Sequence, residues 1–89
     1  MFVIMVYDVN AQRVAKVLKT SRRYLVWVQN SVFEGEMTQG QLHSLKNDLN
    51  TIIDESEDSI LFYVWRVGHY TFRDCIGMNR ASYEDMNML

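Results

Sequence analysis

An unbroken apolar run from Phe2 to Tyr7 stops at a carboxylate, Asp8. Such a run reads as a strand buried on both faces. Ala11, Val14, Val17 and Leu18 then mark the inner face of a helix, with Asn10 placed as its N-cap. Tyr24 to Gln29, rich in β-branched and aromatic residues, predicts a second strand. Asn30 and Ser31 supply a turn, and Val32 to Met37 pairs back, with Gly35 a bulge or bend. Thr38, followed three residues on by Gln41, is a capping box. Leu42, Leu45, Leu49, Ile52 and Ile53 predict a second helix running to about Asp54. An acidic loop, Glu55 to Asp58, precedes a strand over Ser59 to Arg66; Gly68 breaks it, and Tyr70 to Cys75 predicts a short fifth strand. From about Asn79 the chain reads as a flexible tail, Met86 and Met88 included.

Strand, helix, strand, strand, helix, strand is the order of two βαβ halves, which fold as an α+β, ferredoxin-like βαββαβ sandwich. Both helices cover one face of an antiparallel sheet whose first and third strands are central, and the extra C-terminal strand adds to it. The expectation is one ferredoxin-like domain over residues 1–78 and a tail over 79–89. The uncovered face must bury Tyr63, Trp65 and their neighbours against something else. At 89 residues with 48% hydrophobic composition, the chain holds more apolar surface than so small a core needs. A symmetric homodimer follows as the expectation.

Net charge is only -2, but its distribution is uneven. Arg13, Lys16, Lys19, Arg22 and Arg23 lie in a stretch from Val9 to Phe33 that holds no acid, and all five are expected on the outward half of the first helix. A local basic patch is what phosphate contact requires; the competing reading is a merely solvated helix face. The lone Cys75 makes no intrachain disulfide and fits a reducing compartment. No apolar stretch approaches the ~18 residues of a membrane helix, and the start is too short for a signal peptide. A cytoplasmic location away from membranes is expected.

Asp8, an acid at the exit of a central strand, is the leading chemical candidate; the competing reading is a turn residue ahead of the helix. His43 and His69 have no Cys or His at ligand spacing and read as surface residues. Glu34 and Glu36 share a strand face that solvates an edge. Ser31 has no base nearby in sequence, and Trp27, Phe62, Tyr63 and Trp65 read as core or interface. A ligand-sensing module of the same fold calls for a glycine-rich turn after the first strand, and Val9 to Gln12 contains none.

Tyr7-Asp8 with Arg13 following, the hairpin run Val28-Gln29-Asn30-Ser31-Val32-Phe33-Glu34-Gly35, and Asp58-Ser59 leading to Tyr63 resemble the CRISPR-associated Cas-two family. The resemblance implies a homodimer in which each protomer's last strand joins the other's sheet. It implies a role in spacer acquisition, as a scaffold that grips double-stranded DNA and bridges dimers of the Cas-one integrase. It also implies a metal-dependent endonuclease, the alternative emphasis being cleavage of single-stranded RNA or of DNA in the manner of a toxin. The residue it marks for catalysis and metal is Asp8. Arg13 and Phe33 would serve substrate contact or the integrity of the hairpin, and Tyr7 and Ser31 would lie at the hairpin or near substrate. One Asp holds a catalytic metal poorly, whereas a twofold axis supplies two. Mg²⁺, or another divalent cation, is content with one or two carboxylates, waters and substrate phosphate. Arg13, Lys16, Lys19, Arg22 and Arg23 would meet nucleic-acid phosphates without reading sequence.

Overall fold

The structure, a computed structural model, describes residues 1–78; the expected flexible tail lies outside the described residues. The elements are β1 (Phe2–Asp8), α1 (Ala11–Ser21), β2 (Val26–Gln29), β3 (Val32–Glu36), α2 (Gln39–Asn50), β4 (Ser59–Arg66) and β5 (His69–Gly77). They build one antiparallel sheet in the order β2-β3-β1-β4-β5, so β1 is central as expected. Val17 of α1 and Leu42, Leu45 and Leu49 of α2 share a core with Val3, Met5, Phe33, Ile60, Phe62 and Val64 of the sheet. This is the ferredoxin-like α+β arrangement with an added strand.

Both helix starts obey the sequence signals. Asn10 Oδ1 accepts from the Gln12 N–H at 3.1 Å. Thr38 and Gln41 bond reciprocally, at 3.1 Å for the Gln41 N–H on Thr38 Oγ1 and 2.8 Å for the Thr38 N–H on Gln41 Oε1. The helix ends are shorter than periodicity implied. Arg22 is the C-cap of α1 and Arg23 lies beyond it, so the basic stretch is only partly helical. The Tyr24 and Leu25 N–H groups both donate to Ser21 O, which holds these two residues in a turn and delays β2 to Val26. Helix α2 stops at Asn50 rather than near Asp54, because Ile52 and Ile53 both donate back to Leu49 O in closing turns. Their side chains still pack on the core, which is why their spacing looked helical.

Three further strand expectations are corrected. Gly35 pairs in register with Val3, and the hairpin's irregularity falls instead between Trp27 and Gln29. Within this chain β1 is buried on one face only: Val3, Met5 and Tyr7 are covered by the helices while Phe2, Ile4 and Val6 are half-buried on the other side. The last strand, longer than predicted, pairs with β4 of its own chain, from Ser59 opposite Gly77 to Arg66 opposite His69. Val67 and Gly68, at φ 52° and 77°, make a two-residue turn that folds β5 back along β4 and leaves it at the edge of the sheet.

On the open face, Phe2 stacks near Trp65 with ring centroids 6.2 Å apart, and Trp65 meets Tyr70 edge-on at 5.5 Å. Ile4, Val6, Leu61 and Tyr63 continue this apolar surface by strand alternation, as β1 and β4 pair Ile4 with Tyr63 and Val6 with Leu61.

The end of β5 is tied to the start of β4. The Met78 N–H donates to Asp58 O at 2.7 Å, and a Cβ on Gly77, whose φ is +80°, would overlap that oxygen. Gly77→Ala is therefore expected to lower unfolding free energy by at least ~1 kcal/mol in urea titration. Gly40→Ala, whose Cβ meets nothing nearer than 4.0 Å, is expected to leave it unchanged or raise it.

Candidate active site

Asp8 is the last residue of β1 and the register partner of Ser59. Alternation along β1 places it on the open face with Phe2, Ile4 and Val6, and it is exposed where they are half-buried. It lines a polar cleft of about 260 Å³ together with Val9, Asn10, Glu57 and Asp58. A larger apolar hollow, lined by Phe2, Ile4, Trp65 and Val67, lies at the other end of β1, about 20 Å away along a strand of this length. The chemistry and the larger hollow are thus at opposite ends of the same face.

Behind the cleft, Asp58 is fully buried. Its Oδ1 accepts the Asn10 N–H at 2.8 Å and its Oδ2 the Asp54 N–H at 2.9 Å. Arg13 grips the same carboxylate with both arms, Nε at 2.5 Å from Oδ2 and Nη2 at 3.2 Å from Oδ1. Charge-assisted bonds from Arg13, reinforced by the two backbone N–H groups, outweigh burial and hold the Asp58 carboxyl down at about 2. Arg13 Nη2 also pairs with Glu57, and the two acids hold its guanidinium more firmly protonated than usual. Ser56 donates to Asp54 Oδ1 through both its N–H, at 2.9 Å, and its hydroxyl, at 2.6 Å, which lowers the Asp54 carboxyl and tightens the loop. In the sequence Asp58 was legible as the end of an acidic loop and in the Asp58-Ser59 pair, but with no sign of its partner. The available signal was an acid immediately before an apolar strand, with one arginine in the first turn of α1 able to meet it.

The structure sorts the five basic residues into two kinds. Arg13 is largely covered and spent on Asp58 and Glu57, rather than projecting from the outward half of α1. Lys16, Lys19, Arg22 and Arg23 are exposed. Arg23 reaches Asp48 Oδ2 at 3.5 Å, an exposed contact of little energetic weight. That acid also accepts the Tyr24 hydroxyl at 2.7 Å, which raises the Tyr24 phenol. The four exposed cations belong to the helix layer and the segment following it, while Asp8 belongs to the opposite face of the sheet.

Tyr7 and Phe33 are buried, their rings 6.2 Å apart, and the Tyr7 N–H donates to Ser31 O at 3.0 Å. These three residues brace the β2–β3 hairpin against β1. His43 and His69 are exposed on α2 and at the start of β5.

Among the described residues, no group of three or more His, Cys, Asp or Glu side chains could hold a metal ion. The donor set at the cleft is oxygen only, with the Asp58 oxygens already engaged by Arg13 and backbone N–H groups. Such a set suits a hard divalent cation that keeps most of its waters, not zinc. Asp8 is the residue that would hold it.

A sequence profile of the family described as CRISPR associated protein Cas2 matches residues 1–71. The chain is 48% identical over 86 residues to the CRISPR-associated endoribonuclease Cas2 of Dictyoglomus turgidum, covering 97% of this chain and 99% of that one. It is 61% identical over 64 residues to the protein of the same name from Thermotoga maritima, covering 72% of this chain and 74% of that one. Among solved structures, a crystal structure of a Cas2 protein superposes with a TM-score of 0.73 at 40% identity, covering 92% of each chain. That of Streptococcus pyogenes Cas2 gives 0.68 at 40% identity, covering 74% of this chain and 87% of the other.

The Asp58 cluster sets two expectations. Asp58→Ala strands the Arg13 charge and two backbone donors, and is expected to cost about 3–5 kcal/mol of stability in chemical denaturation. Because the Asp58 carboxyl is lower in the folded chain than in the unfolded one, its contribution is complete above pH ~4 and is lost as pH falls toward 2. Unfolding free energy measured from pH 5 to 2 is expected to fall more steeply for the wild type than for Asp58→Asn.

Proposed function

Because the chain belongs to the CRISPR associated protein Cas2 family, we propose that it works in spacer acquisition as a symmetric homodimer that grips double-stranded DNA and bridges Cas-one integrase dimers. The same dimer carries a metal-dependent phosphodiester hydrolase centred on paired Asp8 residues. The observation that carries this reading is the alternation Phe2, Ile4, Val6, Asp8 on the uncovered face of the sheet. A surface carrying Phe2, Trp65 and Tyr70 in mutual contact gains most by meeting its own copy, since a twofold contact uses one patch twice. Strand alternation then carries each Asp8 to the rim of that contact.

Two carboxylates at such a rim would hold a hydrated divalent cation against a substrate phosphate. When bound, such an ion polarises the phosphodiester and lowers the pKa of an attacking water. The chain's own part is positional: β1 presents Asp8, while Tyr7, Phe33 and Ser31 fix the hairpin beside it. Lys16, Lys19, Arg22 and Arg23 of both protomers supply a symmetric surface for duplex phosphates on the helix layers. Since that layer and Asp8 lie on different faces, DNA grip and hydrolysis are separable.

A second reading makes cleavage the main activity, an Mg²⁺-dependent endonuclease acting on single-stranded RNA or on DNA. The endoribonuclease names of the Dictyoglomus and Thermotoga relatives favour it. No helix among the described residues is long and apolar enough to cross a membrane.

Three measurements separate these functions. Ile4→Glu is expected to halve the sedimentation mass by placing a charge in the twofold contact. Asp8→Asn is expected to lower metal-stimulated cleavage at least ~100-fold while duplex affinity stays within twofold. Alanine at Lys16, Lys19, Arg22 and Arg23 is expected to weaken duplex binding and flatten its salt dependence, by roughly 0.9 in log–log slope for each phosphate that is no longer neutralised. Wild-type cleavage by purified Asp8→Asn would remove the hydrolase from the account and leave the scaffold.

A further inference from the structure

The β1–α1 connection is unusually well tied for a segment of two residues. Antiparallel pairing holds β1 as far as Asp8, opposite Ser59. Two residues on, the Asn10 N–H donates to Asp58 Oδ1, the Asn10 carbonyl accepts the Arg13 N–H at 2.9 Å, and the Asn10 side chain caps α1. Asp58 in turn immediately precedes Ser59, the register partner of Asp8. The backbone of Asp8 is therefore fixed on its N-terminal side by the sheet and on its C-terminal side by the Asp58 carboxylate. That carboxylate is oriented by the fork of Arg13 from the first turn of α1, and by the Asp54 N–H from the loop before β4.

We propose that Asp58 and Arg13 are positioning residues for Asp8: the buried ion pair sets the direction in which the β1–α1 connection presents the Asp8 carboxylate to a divalent cation. Neither residue touches substrate in this arrangement. The inference rests on the hydrolase reading of Asp8 and assigns Arg13 a role different from the substrate contact implied by family resemblance. A lysine at position 13 keeps the charge but not the two-armed grip, and an asparagine at 58 keeps the size but not the charge-assisted bonds. Either change loosens the connection by a fraction of an ångström to an ångström, a displacement that costs up to about 100-fold in a positioned reaction.

The test compares full-length wild type, Asp8→Asn, Asp58→Asn and Arg13→Lys in three assays. These are cleavage of single-stranded RNA with kcat and KM separated, Mn²⁺ binding by calorimetry, and amide exchange at Asn10 in metal-free protein. Positioning predicts that Asp58→Asn and Arg13→Lys both lower kcat by about 10- to 100-fold with KM within twofold. It also predicts that both weaken Mn²⁺ binding and speed Asn10 exchange at least ~10-fold. A substrate contact by Arg13 predicts instead a raised KM for Arg13→Lys and normal kcat and Mn²⁺ binding for Asp58→Asn, which would overturn the proposal. Should Asp58→Asn not fold, Arg13→Gln carries the same comparison, because it leaves both backbone bonds to Asp58 in place. If Asp8→Asn matches wild type in cleavage and in Mn²⁺ binding, the reading of Asp8 fails and the proposal falls with it. If only Asp8→Asn differs from wild type, the reading of Asp8 stands and the positioning pair is wrong.

Discussion

Two helices can cover only one face of a five-stranded sheet, and everything specific to this protein follows from the apolar character of the face they leave open. A soluble single copy would place polar residues at alternate positions of β1. Here Phe2, Ile4 and Val6 occupy them, with Tyr63 and Trp65 opposite on β4. The hydrophobic term is therefore divided: Val3, Met5, Phe62 and Val64 stabilise the fold, while the apolar residues of the other face remain only half-covered within one chain. Asp8 gains its interest from where this division ends. It is the first polar residue on the open face of β1, at the end where the strand meets a cleft rather than a hollow.

Polar groups near that cleft obey a different accounting. Burying the Asp58 charge is costly, and the cost is met by four donated hydrogen bonds from Arg13, Asn10 and Asp54. A network so fully satisfied gives geometry rather than net stability. It joins the end of β1 and the adjoining first turn of α1 to the start of β4, 45 residues further along the chain. Gly77 and Met78 add the end of β5 through the Asp58 carbonyl.

The sequence made element order and strand centrality legible because apolar runs, caps and turns are local signals. Asn10, the Thr38–Gln41 box and the Phe2–Asp8 strand needed no tertiary information. Helix ends were less legible: Ile52 and Ile53 keep helical spacing because they pack inward from turns, and Tyr24 and Leu25 have strand-like side chains yet donate to Ser21 O. Asp8 stood out in the sequence as an acid at the exit of an apolar strand, whereas the pairing of Asp58 with Arg13 did not. Periodicity reports which way a side chain faces only along its own element, so it grouped Arg13 with Lys16 and Lys19. It carried no information that a loop acid 45 residues away would capture that one arginine.

The most direct test of the central claim, that open faces meet and bring the two Asp8 positions together, is a pulsed electron-spin distance measurement. A spin label is attached at Asp8→Cys in a Cys75→Ser background. Face-to-face pairing predicts one narrow distribution at the short end of the measurable range, abolished by Ile4→Glu. A distribution that is long or absent at concentrations where the chain sediments as a dimer would contradict it.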